Sequence, residues 1–128
     1  MEFHFIMLIL SINTVENCKI NWNEINNSSV ALIEKIQKLE NCAKPISPFL
    51  DKVYSNIKYR ANRLKICVGL IRNGNYGFNC NREFRKMKWS HENEECANEF
   101  KSVENHFNEF NILFQDARTC KSINRDFK

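Results

Sequence analysis

Few groups in this sequence are placed to do acid–base or metal chemistry. Beyond residue 17 there are two histidines, His91 and His106. His91 stands beside Glu92 and Glu94, with Glu95 and Glu99 following within two turns. A catalytic or zinc site needs a nucleophile or a third ligand at a set distance, and none is spaced for it here. Successive carboxylates on a helix point in different directions and do not converge on one substrate atom, so these glutamates read as a solvated face. His106, next to Phe107, reads as a helix-edge residue. The basic residues Lys52, Lys58, Arg60, Arg63 and Lys65 are spread around the circumference of one predicted helix. A nucleic-acid surface would gather such residues with exposed aromatics, and pairing between this basic helix and an acidic last helix is as simple an account. The sequence therefore argues against an enzyme, a metal or cofactor site, and a nucleic-acid partner.

The six cysteines remain: Cys18, Cys42, Cys67, Cys80, Cys96 and Cys120. None forms a Cys-x-x-Cys pair, the close spacing that redox motifs and zinc sites use to converge on one point. An even number spread along a short exported chain reads as a disulfide framework. Six cysteines allow about 15 pairings. If the long helices alternate in direction, the expected pairs are Cys18–Cys67, Cys42–Cys120 and Cys80–Cys96. Each bond closing a loop of about 25 residues would contribute about 3 kcal/mol on the chain-entropy account.

Export is the expectation from the first residues. Phe3 to Ile12 is an apolar block of a length that suits the core of a signal peptide; spanning a bilayer takes about 20 residues. Residues 1–17 are read as a signal peptide, cleaved between 13 and 17, and residues 18–128 as a single disulfide-rich helical domain. No second long apolar segment follows, so the expectation is a secreted, extracellular protein without a membrane anchor. Loss of Glu2 and Glu16 with the signal would make the chain more basic than its formal +4, an excess suited to acidic surfaces. Asn26-Asn27-Ser28-Ser29 holds two overlapping acceptor sequons for glycosylation, at Asn26 and Asn27.

Glycine (3) and proline (2) are scarce, which favours long helices over a turn-rich fold. A first helix is expected from Ser28 or Ser29, with Val30, Ile33, Ile36, Leu39 and Cys42 on its apolar face and Leu32 and Ala43 widening it, ending before Pro45. A second is expected from Ser47 as cap and Pro48 as first helical residue. Its stripe is Phe49, Val53, Ile57, Ala61, Leu64, Val68 and Ile71, stopped at Asn73-Gly74. A short third helix over Asn81–Trp89 would bury Phe84, Met87 and Trp89. The last helix is expected from about His91 to Cys120, capped by Ser90, with Phe100, Val103, Phe107, Phe110, Phe114 and Ala117 on one face. The fold class predicted is all-α: a small irregular bundle of three long helices and one short one, stapled by three disulfides.

Leu39-Glu-Asn-Cys-Ala-Lys-Pro-Ile-Ser-Pro-Phe-Leu-Asp51, Cys96-Ala-Asn-Glu-Phe100, His106-Phe107 and Cys120 together resemble a nematode family of secreted, cysteine-rich helical domains, catalogued as domain of unknown function nineteen. The resemblance runs from about Leu39 to Cys120 and implies an extracellular protein without catalytic residues. The Asn- and Lys-rich composition equally suits a secreted effector of an invertebrate. The cysteine spacing differs from that of insect odorant-binding proteins and of saposins. The function expected is recognition of an extracellular macromolecule through the surface. The alternative is carriage of a small apolar ligand in a cavity walled by Phe100, Phe107, Phe110 and Phe114.

Overall fold

The computed structural model describes residues 19–74, 80–87 and 93–126, and every element among them is helical. The expected signal peptide and Cys18 lie outside the described residues.

Helix α1 (Trp22–Ala43) starts six residues earlier than expected. Asn21 is its cap, accepting from the Glu24 amide at 3.0 Å. The buried face is Ile25, Ser29, Leu32, Ile36, Leu39 and Ala43. Leu32, Ile36, Leu39 and Ala43 of the expected face are buried, but its main series advanced in steps of three, which at 3.6 residues per turn walks off a straight helix. Val30, Ile33 and Cys42 are accordingly only half-buried. Ser29 sits on the buried face because its hydroxyl donates to the Asn26 carbonyl at 2.7 Å.

Helix α2 (Pro48–Arg72) begins as its sequence dictates, with Ser47 Oγ accepting from the Leu50 amide. It ends at Asn73, followed by Gly74 at φ 90°, a conformation that favours glycine. Its core face holds Leu50, Tyr54, Ile57, Ala61, Leu64, Cys67, Val68 and Ile71. The expected stripe was right from Ile57 onward and wrong before it. Steps of four overshoot a turn, so Phe49 falls on the outside and Val53 at the margin.

Helix α3 (Cys80–Lys86) has only seven residues. It is a bracket on the side of α2, not a fourth member of the bundle, so the body is three helices. Met87 just beyond it is buried; the Phe84 side chain and Trp89 lie outside the described residues. A 3₁₀ turn (Glu94–Cys96) capped by Asn93 then leads into α4 (Ala97–Asp126). The expected cap, Ser90, lies outside the described residues, and the helix runs past Cys120. All six apolar positions expected on α4 are buried, from Phe100 to Ala117.

Helix α1 is the centre, packing on one side against α2 and on the other against α4. Lys58 of α2 reaches Gln37 (2.8 Å) and Glu40 (3.2 Å) of α1. Lys35 of α1 reaches Ser102 of α4 at 3.1 Å, and His106 reaches Ser28. These pairs make α4 antiparallel to α1. Since α2 is also antiparallel to α1, α2 and α4 run in the same direction.

Candidate functional site

The direction of α4 decides the disulfides. The segment after α2 does not turn straight into the last helix. Cys80 and Glu83 lie beside Cys67, Arg60 and Arg63, so α3 runs back along α2. The chain thereby returns to the C-terminal end of α1 before α4 begins. Cys42 meets Cys96 there (Cα–Cα 6.1 Å), and Cys67 meets Cys80 (5.7 Å). The expected pairs Cys18–Cys67, Cys42–Cys120 and Cys80–Cys96 are all overturned. They assumed that α4 ran parallel to α1, which would have put Cys120 rather than Cys96 beside Cys42. Cys120 is also disulfide-bonded.

Phe100, Phe107, Phe110 and Phe114 form one buried face of α4, with the Phe110 and Phe114 rings 6.4 Å apart. They belong to the same core cluster as Leu32, Ile36 and Leu39 of α1. None of the four lines the open surface concavity of about 430 Å³ near the N-terminus of α1, which is bordered by Lys19, Ile20, Asn21, Trp22, Asn23 and Arg72.

His91 and Glu92 lie outside the described residues, while Glu94 and Glu95 are exposed at the start of α4. His106 joins α4 to α1. Its Nε2 is 2.9 Å from the Ser28 carbonyl and 3.2 Å from Ser28 Oγ. A carbonyl only accepts, so Nε2 carries the proton and donates, leaving Nδ1 toward Glu109. The Asn26 and Asn27 side chains are exposed on the second turn of α1. Among the described residues no group of three His, Cys, Asp or Glu could hold a metal, and no helix is long and apolar enough to cross a membrane.

Among the described residues, Lys58, Arg60 and Arg63 of α2 pair with α1 and α3, and no ion pair joins α2 to α4, the pairing offered above as one account of the basic helix. Lys58 pairs with Glu40. Glu83 of α3, a buried carboxylate, faces Arg60 at 3.9 Å and Arg63 at 3.5 Å. Arg63 Nε and Glu83 Oε2 are both sealed from solvent in an ion pair that stops short of hydrogen-bond geometry. On its other side Arg63 donates from Nη1 to the Tyr59 hydroxyl at 3.3 Å, and its guanidinium lies 5.9 Å from the Tyr59 ring centre. The Tyr59 hydrogen bond, and the Glu83 carboxylate after it, hold the Arg63 guanidinium above its ordinary range. Arg63 therefore stays charged at any physiological pH.

This pair sits in the middle of the surface that the sequence reading missed. Phe49, Tyr59 and Ile66 are 62%, 56% and 63% exposed on the outward side of α2. Lys52 is exposed on the same arc. Only some of the basic residues are scattered; Lys52 and Arg63 stand among exposed aromatics. A signal for this was present. Positions 49, 52, 56, 59, 63 and 66 form a second series of alternating three- and four-residue steps, offset from the buried one. The chain matches no family model, no curated protein and no solved structure.

Proposed function

We propose that this protein is exported and acts by recognising another macromolecule through its surface, with the outward side of α2 as the contact. The observation that carries this reading is the display of Phe49, Tyr59 and Ile66 beside Lys52 and Arg63 on a helix whose opposite face is already buried. Aromatic residues and arginine are the side chains most enriched where proteins meet, and a Tyr–Arg pair held in place costs little further ordering on binding. The disulfides suit an oxidising compartment and hold the helices in one arrangement. A glycan on Asn26 or Asn27 would project from exposed positions of α1.

The test has two parts. Expression in a eukaryotic secretory line, followed by mass spectrometry of the unreduced product, should give a medium fraction lacking residues 1–17 with Cys42–Cys96 and Cys67–Cys80 bonded. Retention of the whole chain inside the cell would refute export. The secreted protein, immobilised, should then retain a partner from extracellular fluid. That partner should be lost with Tyr59→Ala/Ile66→Ala and kept with Ile112→Ala; equal retention by both variants would remove α2 from the reading.

A further inference from the structure

The outward side of α2 has a register, and the register restricts what can cover it. Phe49, Lys52, Asn56, Tyr59, Arg63 and Ile66 follow one another at steps of 3, 4, 3, 4 and 3. All but Arg63 are exposed; Arg63 is half-buried, with Glu83 and Tyr59 beside it. On a helix these steps draw one nearly straight line. Over the 17 intervals from Phe49 to Ile66 that line is about 26 Å long. A membrane has no use for such a register, and an extended strand would read a period of two. A second helix lying at a small angle packs onto just this spacing.

The flank of the line favours close approach. Ser55, Asn62 and Gly69 recur at intervals of seven along one side of it. A side chain built at Gly69 would meet nothing within 4 Å. Among the described residues no close neighbour therefore requires this glycine, although glycine within a helix costs about 1 kcal/mol relative to alanine. A helix laid alongside would use the space.

Charge selects the kind of helix. The line contains Lys52 and Arg63 and no acid, and the one acid of α2, Asp51, lies off it. Lys52 has no ion-pair partner among the described residues. A second copy of the chain would bring Lys52 and Arg63 against their own counterparts, and like charges on a helix seam oppose pairing. We infer that the outward line of α2 is a docking seam for an acidic amphipathic helix of a partner protein. Phe49, Tyr59 and Ile66 would pack between its apolar side chains, and its carboxylates would meet Lys52 and the solvent-reaching side of Arg63, whose Nε already faces Glu83. This inference rests on the recognition reading and names the partner's chemistry at that surface.

The probe is a synthetic 21-residue helical peptide with leucine on a three–four stripe, glutamate on both flanks and a terminal fluorophore. The control peptide replaces every flanking glutamate with lysine. Titrated with the exported, oxidised protein at 0.15 M salt, the acidic peptide should show saturable anisotropy, at least tenfold tighter than the lysine peptide. Arg63→Glu and Ile66→Glu should each weaken it at least tenfold, and Ile112→Glu, on the outer side of α4, should leave it unchanged. Circular dichroism of each variant identifies any that has lost its fold; Tyr59→Ala then serves in its place. Absence of saturable binding, or equal weakening by Ile112→Glu, overturns the seam. So does sedimentation with phosphatidylserine vesicles without peptide binding, or a dimer in sedimentation equilibrium that Ile66→Glu dissolves. A partner from extracellular fluid that survives Arg63→Glu and Ile66→Glu would sink the seam and leave surface recognition standing, whereas loss of all partners in the wild type would sink both.

Discussion

Helices α2 and α4 flank the same central helix and run in the same direction, yet they place their apolar residues differently. Helix α4 turns Phe100, Val103, Phe107, Phe110 and Phe114 inward, and up to Cys120 shows one large apolar side chain, Ile112, to solvent. Helix α2 buries one aromatic residue, Tyr54, among aliphatic ones such as Ala61, Leu64 and Val68, and shows Phe49, Tyr59 and Ile66. Three of its cations are also engaged, Lys58 by Glu40 on one side and Arg60 and Arg63 by Glu83 on the other. The contrast teaches that α4 is chiefly a structural member, whereas α2 is both structural and displayed. A single apolar residue on a surface is ordinary; three in register with two cations call for an explanation.

The largest difference should appear on the inward faces. Phe110 is fully buried beside Phe114, and Phe110→Ala should cost about 3–5 kcal/mol. Set against a typical net stability of about 5–15 kcal/mol, that is a large share. Urea unfolding of the oxidised protein measures it. A loss below about 1 kcal/mol would mean that the α4 face is not the tightly packed one.

The disulfides should separate the two helices next. Cys42–Cys96 closes a loop of 54 residues and Cys67–Cys80 one of 13. The chain-entropy account gives about 4 and about 3 kcal/mol respectively. Replacing the first pair with serine should loosen α4 from α1. Replacing the second should loosen only the bracket, α3, on α2. Amide hydrogen exchange distinguishes these, because the first change should speed exchange in 97–105 and the second in 80–86.

Within the bracket, Glu83→Ala removes the carboxylate that faces both Arg60 and Arg63. Both arginines reach solvent in part, so the cost should be moderate, about 1–3 kcal/mol. Arg63 should also lose its hold on the Tyr59 ring side, visible as a changed tyrosine fluorescence. An unchanged spectrum together with unchanged stability would show that α3 does not position the displayed face.

How much of this contrast could be read from the chain alone depends on which interactions are local. The inward stripe of α4 was legible residue by residue, because steps of four and three alternate and average the helical turn. The start of α2 was legible because Ser47 and Pro48 act on their own first turn. Phe49 was misplaced because three successive steps of four drift around a helix. The pairing of the cysteines was illegible for a different reason. It depends on whether the chain after Arg72 turns at once or returns along α2, and that is fixed by contacts between distant segments: Cys67 with Cys80, and Glu83 with Arg60 and Arg63. The displayed line was legible in principle, since its three–four spacing stands in the sequence beside the buried one. Burial alone tells which of two such lines faces the core.

Gly69 supplies a smaller test with the opposite sign. An added Cβ meets nothing within 4 Å, and its φ is not positive. Gly69→Ala should therefore raise stability by about 0.4–1 kcal/mol, through greater helix preference and a less disordered unfolded chain. Thermal unfolding would show it as a higher midpoint. A lower midpoint would mean that the open space beside α2 is needed by the fold itself.

The smallest expected effect bears most directly on the contrast. Ile66 and Ile112 are 63% and 62% exposed, one on each flanking helix. If both are simply surface residues, Ile66→Ser and Ile112→Ser should each change stability by no more than about 0.5 kcal/mol. Their effects on stability would then match, and any difference between them would belong to binding. Serine is a weaker helix former than isoleucine by only a few tenths of a kcal/mol on most scales, about the same at both sites. A loss above about 1 kcal/mol for Ile66→Ser alone would show that the outward line of α2 is held by the protein's own chain. In that case α2 would be as wholly structural as α4.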